Sequence, residues 1–249
     1  AFKNILHAPL YQNCMHCTSC WHGAEHRKLS DKVDHEGLIN THLYKPWIGS
    51  AFETKRILVI AQNMNNYGGY EAQEKLIRWG KVQLAQGKKK LFKSPTYSGT
   101  LLYHRVGAYL ISMLKKEGMS FSPFINGYPA GKEIAAVYEH VAMTNIIKCS
   151  LTDERSNPTG AMWENCGRHV LLEEMKILKP TSLLIIGKEV LKALNGTVFD
   201  TPLNINYSPS VISDIASING LATRFINVIH PAAFGGSSHK LVKGVYDLS

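Results

Sequence analysis

Four short apolar runs rich in branched side chains occur along the chain, and each has the length of a buried strand. They occupy residues 56–61, 141–147, 183–186 and 225–229. Apolar side chains at helical spacing lie between them, at residues 101–116, 162–178 and 188–194. Near-continuous apolar strands that alternate with helices are typical of a parallel sheet with both faces covered. The pattern predicts an α/β fold, a three-layer α/β/α sandwich around a central, mainly parallel four-stranded sheet.

The 249 residues are enough for a single domain of this kind, and no internal repeat divides them. Residues 1–51 form a cysteine-bearing N-terminal segment, and residues 67–96 form an insertion after the first strand. The apolar runs fall far short of the roughly 20 residues that a membrane span needs. Residues 1–10 also lack the charged-then-apolar design of a signal peptide. We therefore expect a cytoplasmic monomer that does not engage a membrane.

The charge of the chain narrows the choice of partner. Lys and Arg number 28 against 19 Asp and Glu, which gives a net charge of +9 and a pI of about 9.2. A basic excess favours polyanions, because neutralised phosphates release their counterions. Nucleic acid is the partner that this excess suggests, and a surface charge that serves solubility alone is the alternative.

Five cysteines are placed in a way that argues against a secreted disulfide scaffold. Cys14, Cys17 and Cys20 form a C-x2-C-x2-C run, and Cys149 and Cys166 lie far downstream. Two-residue gaps let neighbouring thiolates converge on one metal or cluster. Four of the five cysteines are predicted to form a four-thiolate site, which holds either a [4Fe–4S] cluster or zinc.

Polar residues follow three of the predicted strands, and parallel strands end at one edge of a sheet, where ligands bind. Gln62, Asn63 and Asn65 belong to an amide-rich loop after the first strand. Asn145 ends the second strand, and His230 follows the last one before a proline. An asparagine offers a donor and an acceptor together, as a pyrimidine edge requires. Each residue alone has an ordinary alternative, which is to satisfy the backbone of its own loop.

Four motifs occur in order along the chain. They are S-G-x-x-L-Y at residues 98–103, T-N-x-x-K-C at residues 144–149, L-I-I-G at residues 184–187 and H-P-A-A at residues 230–233. With Cys166 after the second motif, this order resembles the uracil-DNA glycosylase superfamily, and within it the iron–sulfur families four and five. The resemblance covers nearly the whole chain. It implies a DNA glycosylase that flips a base out of DNA, hydrolyses its N-glycosidic bond and leaves an abasic site.

The resemblance also gives the cysteines a role. Cys17-x2-Cys20 with Arg27 is similar to the opening of family five, and N-C-M-H-C at residues 13–17 is similar to that of family four. The implied cofactor is a [4Fe–4S] cluster, with zinc as the alternative and with no redox step in base removal. The implied ligands are Cys17, Cys149, Cys166 and one of Cys14 or Cys20, of which the spacing to Arg27 favours Cys20.

The first loop departs from the resembling families, since A-Q-N-M-N at residues 61–65 has no carboxylate, proline or glycine. Asn63 matches the asparagine of mismatch-specific and single-strand-selective relatives. The resemblance implies that His230 hydrogen-bonds the departing base as it becomes anionic. Asn63, together with Gln62, is then expected to position the attacking water under the sugar.

Four further residues are predicted to contact the flipped nucleotide or the gap that it leaves. Asn145 is expected to read the base edge, and Asn65 belongs to the same polar pocket. Tyr97 is the candidate stacking residue, and Phe234 is the candidate wedge that fills the vacated stack. Core packing is the alternative for both aromatic residues.

Lysines are expected to carry the electrostatic part of DNA binding. The candidate phosphate contacts are Lys88, Lys89, Lys90, Lys93, Lys240 and Lys243. An ordinary solvated face is the alternative for the run at residues 88–93. The resemblance implies that the substrate is uracil or a modified pyrimidine. Alternatives are a glycosylase for hypermodified bases in antiviral defence and a non-catalytic module that binds DNA or a damaged base.

Overall fold

A six-stranded sheet forms the centre of the computed structural model, which describes residues 46–62, 98–122, 131–148, 158, 160–229 and 238–249. The strands are β1 (Trp47–Ile48), β2 (Ile57–Ala61), β3 (Val141–Asn145), β4 (Ser182–Ile186), β5 (Val211–Ile218) and β6 (Leu221–Val228). Their order across the sheet is β1-β3-β2-β4-β6-β5. The prediction of four strands was therefore wrong in number.

The four central strands are those that the apolar runs predict, and all three pairings among them are parallel. The two additional strands are antiparallel and lie at the edges of the sheet. β1 has only two residues, and most of β5 is partly or fully exposed. An edge strand needs no continuous apolar run, because its outer side meets no further strand. Its sequence is therefore hard to tell from a loop.

Helices connect the strands and cover the sheet. They are α1 (Phe52–Lys55), α2 (Ser98–Lys116), α3 (Gly131–Val137), α4 (Gly160–Asn165), α5 (Leu172–Leu178), α6 (Lys188–Thr197) and α7 (Ser238–Leu248). A 3-10 turn, Tyr138–His140, precedes β3, and a π-helix, Cys166–Leu171, joins α4 to α5. α6 continues past the predicted end at residue 194. The side chain of Asn195 bonds the backbone N–H and C=O of Leu203, so this residue fastens a following segment to α6.

Two apolar cores, one on each face of the sheet, give the three layers that the pattern predicts. Leu58 and Ile60 of β2 pack into the core beneath α4, α5 and α6. Ile57 and Val59 point the other way, into the core that α2, α3 and α7 cover. This alternation is the period of two of an extended chain. The α/β/α sandwich is confirmed.

Candidate active site

The carboxyl ends of the central strands lie together at one edge of the sheet. Ala61 at the end of β2 is paired with Asn145 at the end of β3, and Ile186 of β4 is paired with Val228 of β6. The expected convergence of the three strand ends is confirmed. In an open α/β sheet this edge is where ligands bind.

The backbone at the end of β3 is held by β2 beyond the last strand residue. Ile146 N–H donates to the carbonyl of Ala61 at 2.8 Å, and Ile147 N–H donates to the carbonyl of Gln62 at 3.0 Å. Gln62, one of the predicted catalytic residues, is thus fixed at the edge and is half-buried. It lies directly beside the end of β3.

Asn145 is the most informative side chain at this edge. It is 1 % exposed, and neither its amide nitrogen nor its amide oxygen has a hydrogen-bond partner among the residues that the structure describes. A buried polar group left without a partner costs about 1–3 kcal/mol, and native proteins rarely keep one without a reason. A ligand with one acceptor and one donor would satisfy both atoms.

A buried ion pair lies on the side of β3 opposite to the Asn145 side chain. The sequence analysis did not predict its role. Lys148 Nζ donates to Glu174 Oε2 of α5 at 2.6 Å and to Thr144 Oγ1 at 2.5 Å. Thr144 Oγ1 in turn donates to the same carboxylate oxygen at 2.9 Å. All three residues are fully buried. Lys148 and Thr144 belong to the T-N-x-x-K-C motif, whereas Glu174 lies 26 residues after Lys148, where no spacing rule points to it.

The ends of β4 and β6 are fixed by a second buried asparagine. Asn227 Nδ2 donates to the carbonyls of Ile185 at 3.0 Å and Gly187 at 2.9 Å. Gly187 has a φ of 104°, a value that side chains rarely allow, and its N–H donates to Val228. Ile229 N–H donates to the carbonyl of Ser210. The chain is therefore fixed up to the residue that precedes His230.

Cys166, one of the predicted metal ligands, lies at the start of the π-helix, and its side chain is buried. Single π-turns inside α-helices often mark functional sites. The next residue, Gly167, meets α6 closely, since a Cβ there would lie 2.3 Å from Thr197 Oγ1. The described residues contain no group of three or more possible metal ligands, and the other four cysteines lie outside them.

Two predicted DNA contacts lie on α7, which runs back along the sheet from the edge where β6 ends. The carbonyl of Leu248 near the end of α7 accepts from Arg224 of β6, which is paired with Ser182 at the start of β4. Lys240 therefore lies near the carboxyl edge of the sheet and is exposed. Lys243 is one turn further away and forms an ion pair with Asp247, which competes with any phosphate.

One buried ionisable side chain in the α2 layer is kept neutral. Tyr109 is fully buried, and burial raises its pKa to about 12, against a smaller opposing effect of Arg105. Its hydroxyl has no hydrogen-bond partner within the described ranges. A phenol with this pKa stays protonated at neutral pH, so it does not act as a base.

The other predicted site residues lie outside the described residues. They are His230, Asn63, Asn65, Tyr97 and Phe234, the lysines 88, 89, 90 and 93, and the cysteines 14, 17, 20 and 149. Their roles stay predictions.

Fold and edge together define a class of protein. A mainly parallel sheet in a three-layer sandwich, with a buried amide lacking a partner among the described residues at its carboxyl edge, is suited to bind a small polar ligand. The model of the uracil DNA glycosylase superfamily matches residues 71–243, which is 173 of the 249 residues. The chain therefore belongs to the uracil DNA glycosylase superfamily, and this membership points to a glycosylase-type function on DNA.

The matched range contains Asn145, Lys148, Cys166 and His230 but neither the amide-rich first loop nor the N-terminal cysteine run. No curated protein matches the chain significantly. Among the helices of the described residues, none has the length and apolar character needed to cross a membrane.

Proposed function

We propose that the protein is a monofunctional DNA glycosylase that removes uracil or a modified pyrimidine from DNA and leaves an abasic site. The observation that carries this proposal is the buried amide of Asn145, which lacks a partner among the described residues, at the ligand-binding edge of a superfamily member. A flipped uracil presents an N3–H donor between the O4 and O2 acceptors on its Watson–Crick edge, so a donor and an acceptor lie side by side. Asn145 offers the complementary acceptor and donor.

Cleavage of the N-glycosidic bond passes through a state in which the sugar is positive and the departing base negative. His230 donates a hydrogen bond to the base oxygen as negative charge develops there. Asn63 and Gln62 orient the water that attacks the anomeric carbon. Their amides position this water without removing its proton early, which suits a state in which the bond to the base breaks first.

The proposal includes a [4Fe–4S] cluster on Cys17, Cys149, Cys166 and either Cys20 or Cys14. The buried position of Cys166 supports it, as does the tie between the two downstream ligand segments. Lys148 precedes Cys149, and its partner Glu174 follows Cys166 by eight residues, about 12 Å along one helical run. The cluster would fasten the N-terminal segment to this region. Purified protein should then be brown and contain iron, whereas stoichiometric zinc in a colourless protein would favour the alternative metal.

DNA binding is proposed to be largely electrostatic and to run across the carboxyl edge of the sheet. The basic balance of the chain and the exposed position of Lys240 support it. The lysines at residues 88, 89, 90 and 93 are further candidates. Charge reversal at these four positions should weaken binding to duplex DNA. Unchanged binding would indicate that the four lysines form an ordinary solvated surface.

One observation favours a different substrate within the same activity. The first loop has amides where family four has a carboxylate, and a long insertion follows it. A larger polar pocket would accept a bulkier pyrimidine, as a defence enzyme against modified viral DNA requires. A binding module without turnover is the remaining alternative.

The test is to incubate the protein with oligonucleotides that each carry one uracil, thymine or modified pyrimidine, followed by alkaline cleavage at abasic sites. His230→Ala and Asn63→Ala should each lower the single-turnover rate by roughly 10²–10³. Glu173→Gln is the matched control, because it alters an exposed carboxylate that pairs with Lys176 on the surface of α5. Full rates in both alanine variants would refute the assigned site. Specific binding without abasic sites would favour the binding module.

A further inference from the structure

We propose that Lys148, Glu174 and Thr144 are positioning residues, which hold the end of β3 so that the Asn145 amide meets the base in one orientation. The inference rests on the proposed base-reading role of Asn145. It extends that role to three residues that touch neither base nor sugar.

The three side chains are tied to one another inside the protein. Lys148 Nζ lies 2.6 Å from Glu174 Oε2 and 2.5 Å from Thr144 Oγ1. The Thr144 hydroxyl completes the triangle by donating to the same carboxylate oxygen. The side chains of Lys148 and Glu174 are both 0 % exposed, so water does not compete for these bonds.

This triangle closes a loop of the chain that contains Asn145. Thr144 and Lys148 are four residues apart, and Asn145, Ile146 and Ile147 lie between them. The N–H groups of Ile146 and Ile147 donate to the end of β2, so the loop is held from both sides. The backbone of Asn145 is thereby fixed although its own amide bonds nothing among the described residues.

The side chains of Asn145 and Thr144 are directed to opposite sides of β3. Val141 and Met143 face the core beneath α2, α3 and α7, and by alternation Asn145 is directed to that side of the sheet. Thr144 is directed to the opposite side, where it meets Glu174 of α5. The buried pair therefore supports the strand from behind, on the side away from the base.

Stability alone does not explain a buried ion pair at this place. Removing two charges from water costs several kcal/mol per ion, and apolar replacements of such pairs are often neutral or stabilising. Directional bonds do supply something that apolar packing does not, which is a fixed distance between the α5 backbone and the end of β3. Sites that read a ligand by hydrogen bonds need this precision, since small displacements weaken such bonds strongly.

An exposed ion pair on the same helix contrasts with the buried pair of Lys148 and Glu174. Glu173, next to Glu174, pairs with Lys176 on the surface of the same helix, with both side chains more than 40 % exposed. Exposed pairs of this kind contribute little. Glu173→Gln is therefore a matched control for substitutions at Glu174.

The main experiment replaces the pair by apolar residues, Lys148→Met with Glu174→Met, and compares the double variant with each single one. Each single variant should lower the melting temperature, because one buried charge is left without its partner. The double variant should recover most of that loss. Its single-turnover rate on the preferred base should still fall about tenfold or more, with DNA affinity unchanged and with poorer discrimination against other pyrimidines. Wild-type rate and discrimination in a double variant of wild-type stability would overturn the proposal.

A second pair of variants covers the case in which the double variant does not fold. Thr144→Ser keeps the hydroxyl and should keep rate and discrimination, whereas Thr144→Val keeps the shape and should lose both. Equal rates and equal discrimination in Thr144→Ser and Thr144→Val would overturn the proposal. Iron content is measured in all variants, so that a loss of rate at full iron content is not a loss of cluster.

A readout without turnover separates this inference from the proposed function. In NMR spectra, the side-chain amide of Asn145 should give one sharp pair of N–H signals in the wild type and in Thr144→Ser. These signals are assigned by their absence in Asn145→Ala. They should shift or broaden in Thr144→Val and in the double variant. If the wild type makes no abasic sites, the proposed function fails while these signals still decide the positioning role. Unchanged signals in both altered variants would refute it.

Discussion

Two buried asparagines stand at the same edge of the sheet and differ in what their amide nitrogens bond. Asn227, near the end of β6, donates its amide nitrogen to the carbonyls of Ile185 and Gly187, while its amide oxygen has no partner among the described residues. Asn145, at the end of β3, bonds nothing among the described residues through either amide atom. Both side chains are 1 % exposed. The difference therefore lies in the partners and not in the burial.

The comparison separates an amide nitrogen that holds two strand ends from an amide that is proposed to bind a ligand. An amide that bonds backbone carbonyls stabilises the folded state, because those carbonyls and the amide would otherwise be buried unpaired. An amide with no partner destabilises the folded state, and ligand binding is one reason for a protein to keep it. The same residue type, at the same depth, is thus expected to contribute differently to stability according to what its amide nitrogen bonds.

The largest effect is expected from Asn145→Ala. The variant should lose on the order of 10²-fold or more in kcat/KM on the preferred base, since the base edge is left without partners. Its thermal stability should equal or exceed that of the wild type, because a buried unsatisfied amide is removed. Single-turnover kinetics and thermal unfolding on the same preparations measure both.

A fall in both activity and stability in Asn145→Ala would contradict the assignment of this amide to a ligand. It would indicate a structural partner outside the described residues. The variant Asn145→Asp sharpens the test, because it keeps the acceptor but lacks the donor and should alter which base is accepted.

Asn227→Ala should behave in the reverse way. We expect a loss of about 1–3 kcal/mol in the free energy of unfolding, since the carbonyls of Ile185 and Gly187 lose a buried donor. Discrimination between bases in the folded fraction should change little. Denaturant unfolding gives the stability, and a change in discrimination larger than that of Asn145→Ala would reverse the comparison.

Lys240 and Lys243 test which part of the edge faces DNA. Replacing Lys240 by Gln should reduce the slope of log K against log salt by about 0.9 on duplex DNA, the value for one phosphate contact. Replacing Lys243 should change it less, because Asp247 already pairs with this lysine. Binding titrations at several salt concentrations measure both slopes, and equal slopes would place the DNA further along α7.

The smallest effect is expected at Asp200, which holds the turn between β5 and β6. Like Asn227 it bonds backbone groups, but its side chain is exposed. Hydrogen bonds from Ser217 and from the backbone N–H groups of Gly220 and Asn219 lower its pKa below the ordinary value of 3.8. This carboxylate therefore stabilises the fold above that value and loses its effect as the pH falls through its lower pKa in the folded state. Asp200→Asn should lower the unfolding midpoint slightly at pH 7, and the difference from wild type should shrink in acid. A difference that stays constant with pH would exclude the carboxylate as its source.

The sequence predicts the central sheet well and its periphery poorly. The runs at residues 56–61 and 183–186 are buried on both faces, so their composition alone marks them as strands. β1 and β5 were not predicted, because an edge strand has a weaker pattern of apolar residues. α6 was predicted too short, because an Asn-Gly pair at residues 195–196 is a common end signal but here continues the helix.

The sequence predicts the strand-end residues of the candidate site but not the residues that support them. Asn145 could be identified from its place after an apolar run, since strand ends of a parallel sheet meet. The role of Lys148 could not, because a lysine in sequence reads as a surface charge, and its partner Glu174 belongs to a distant helix. The bond between them depends on how α5 packs on the sheet, and no local pattern encodes this.

The sequence by itself determined the class of fold and the strands whose ends meet at one edge of the sheet. It did so because burial on both faces and the ends of strands leave local patterns. Only the tertiary structure decided which of two equally buried asparagines leaves its amide nitrogen without a partner among the described residues and which lysine is enclosed. Those properties belong to contacts between segments far apart in the chain, such as β3 with α5 and β4 with β6.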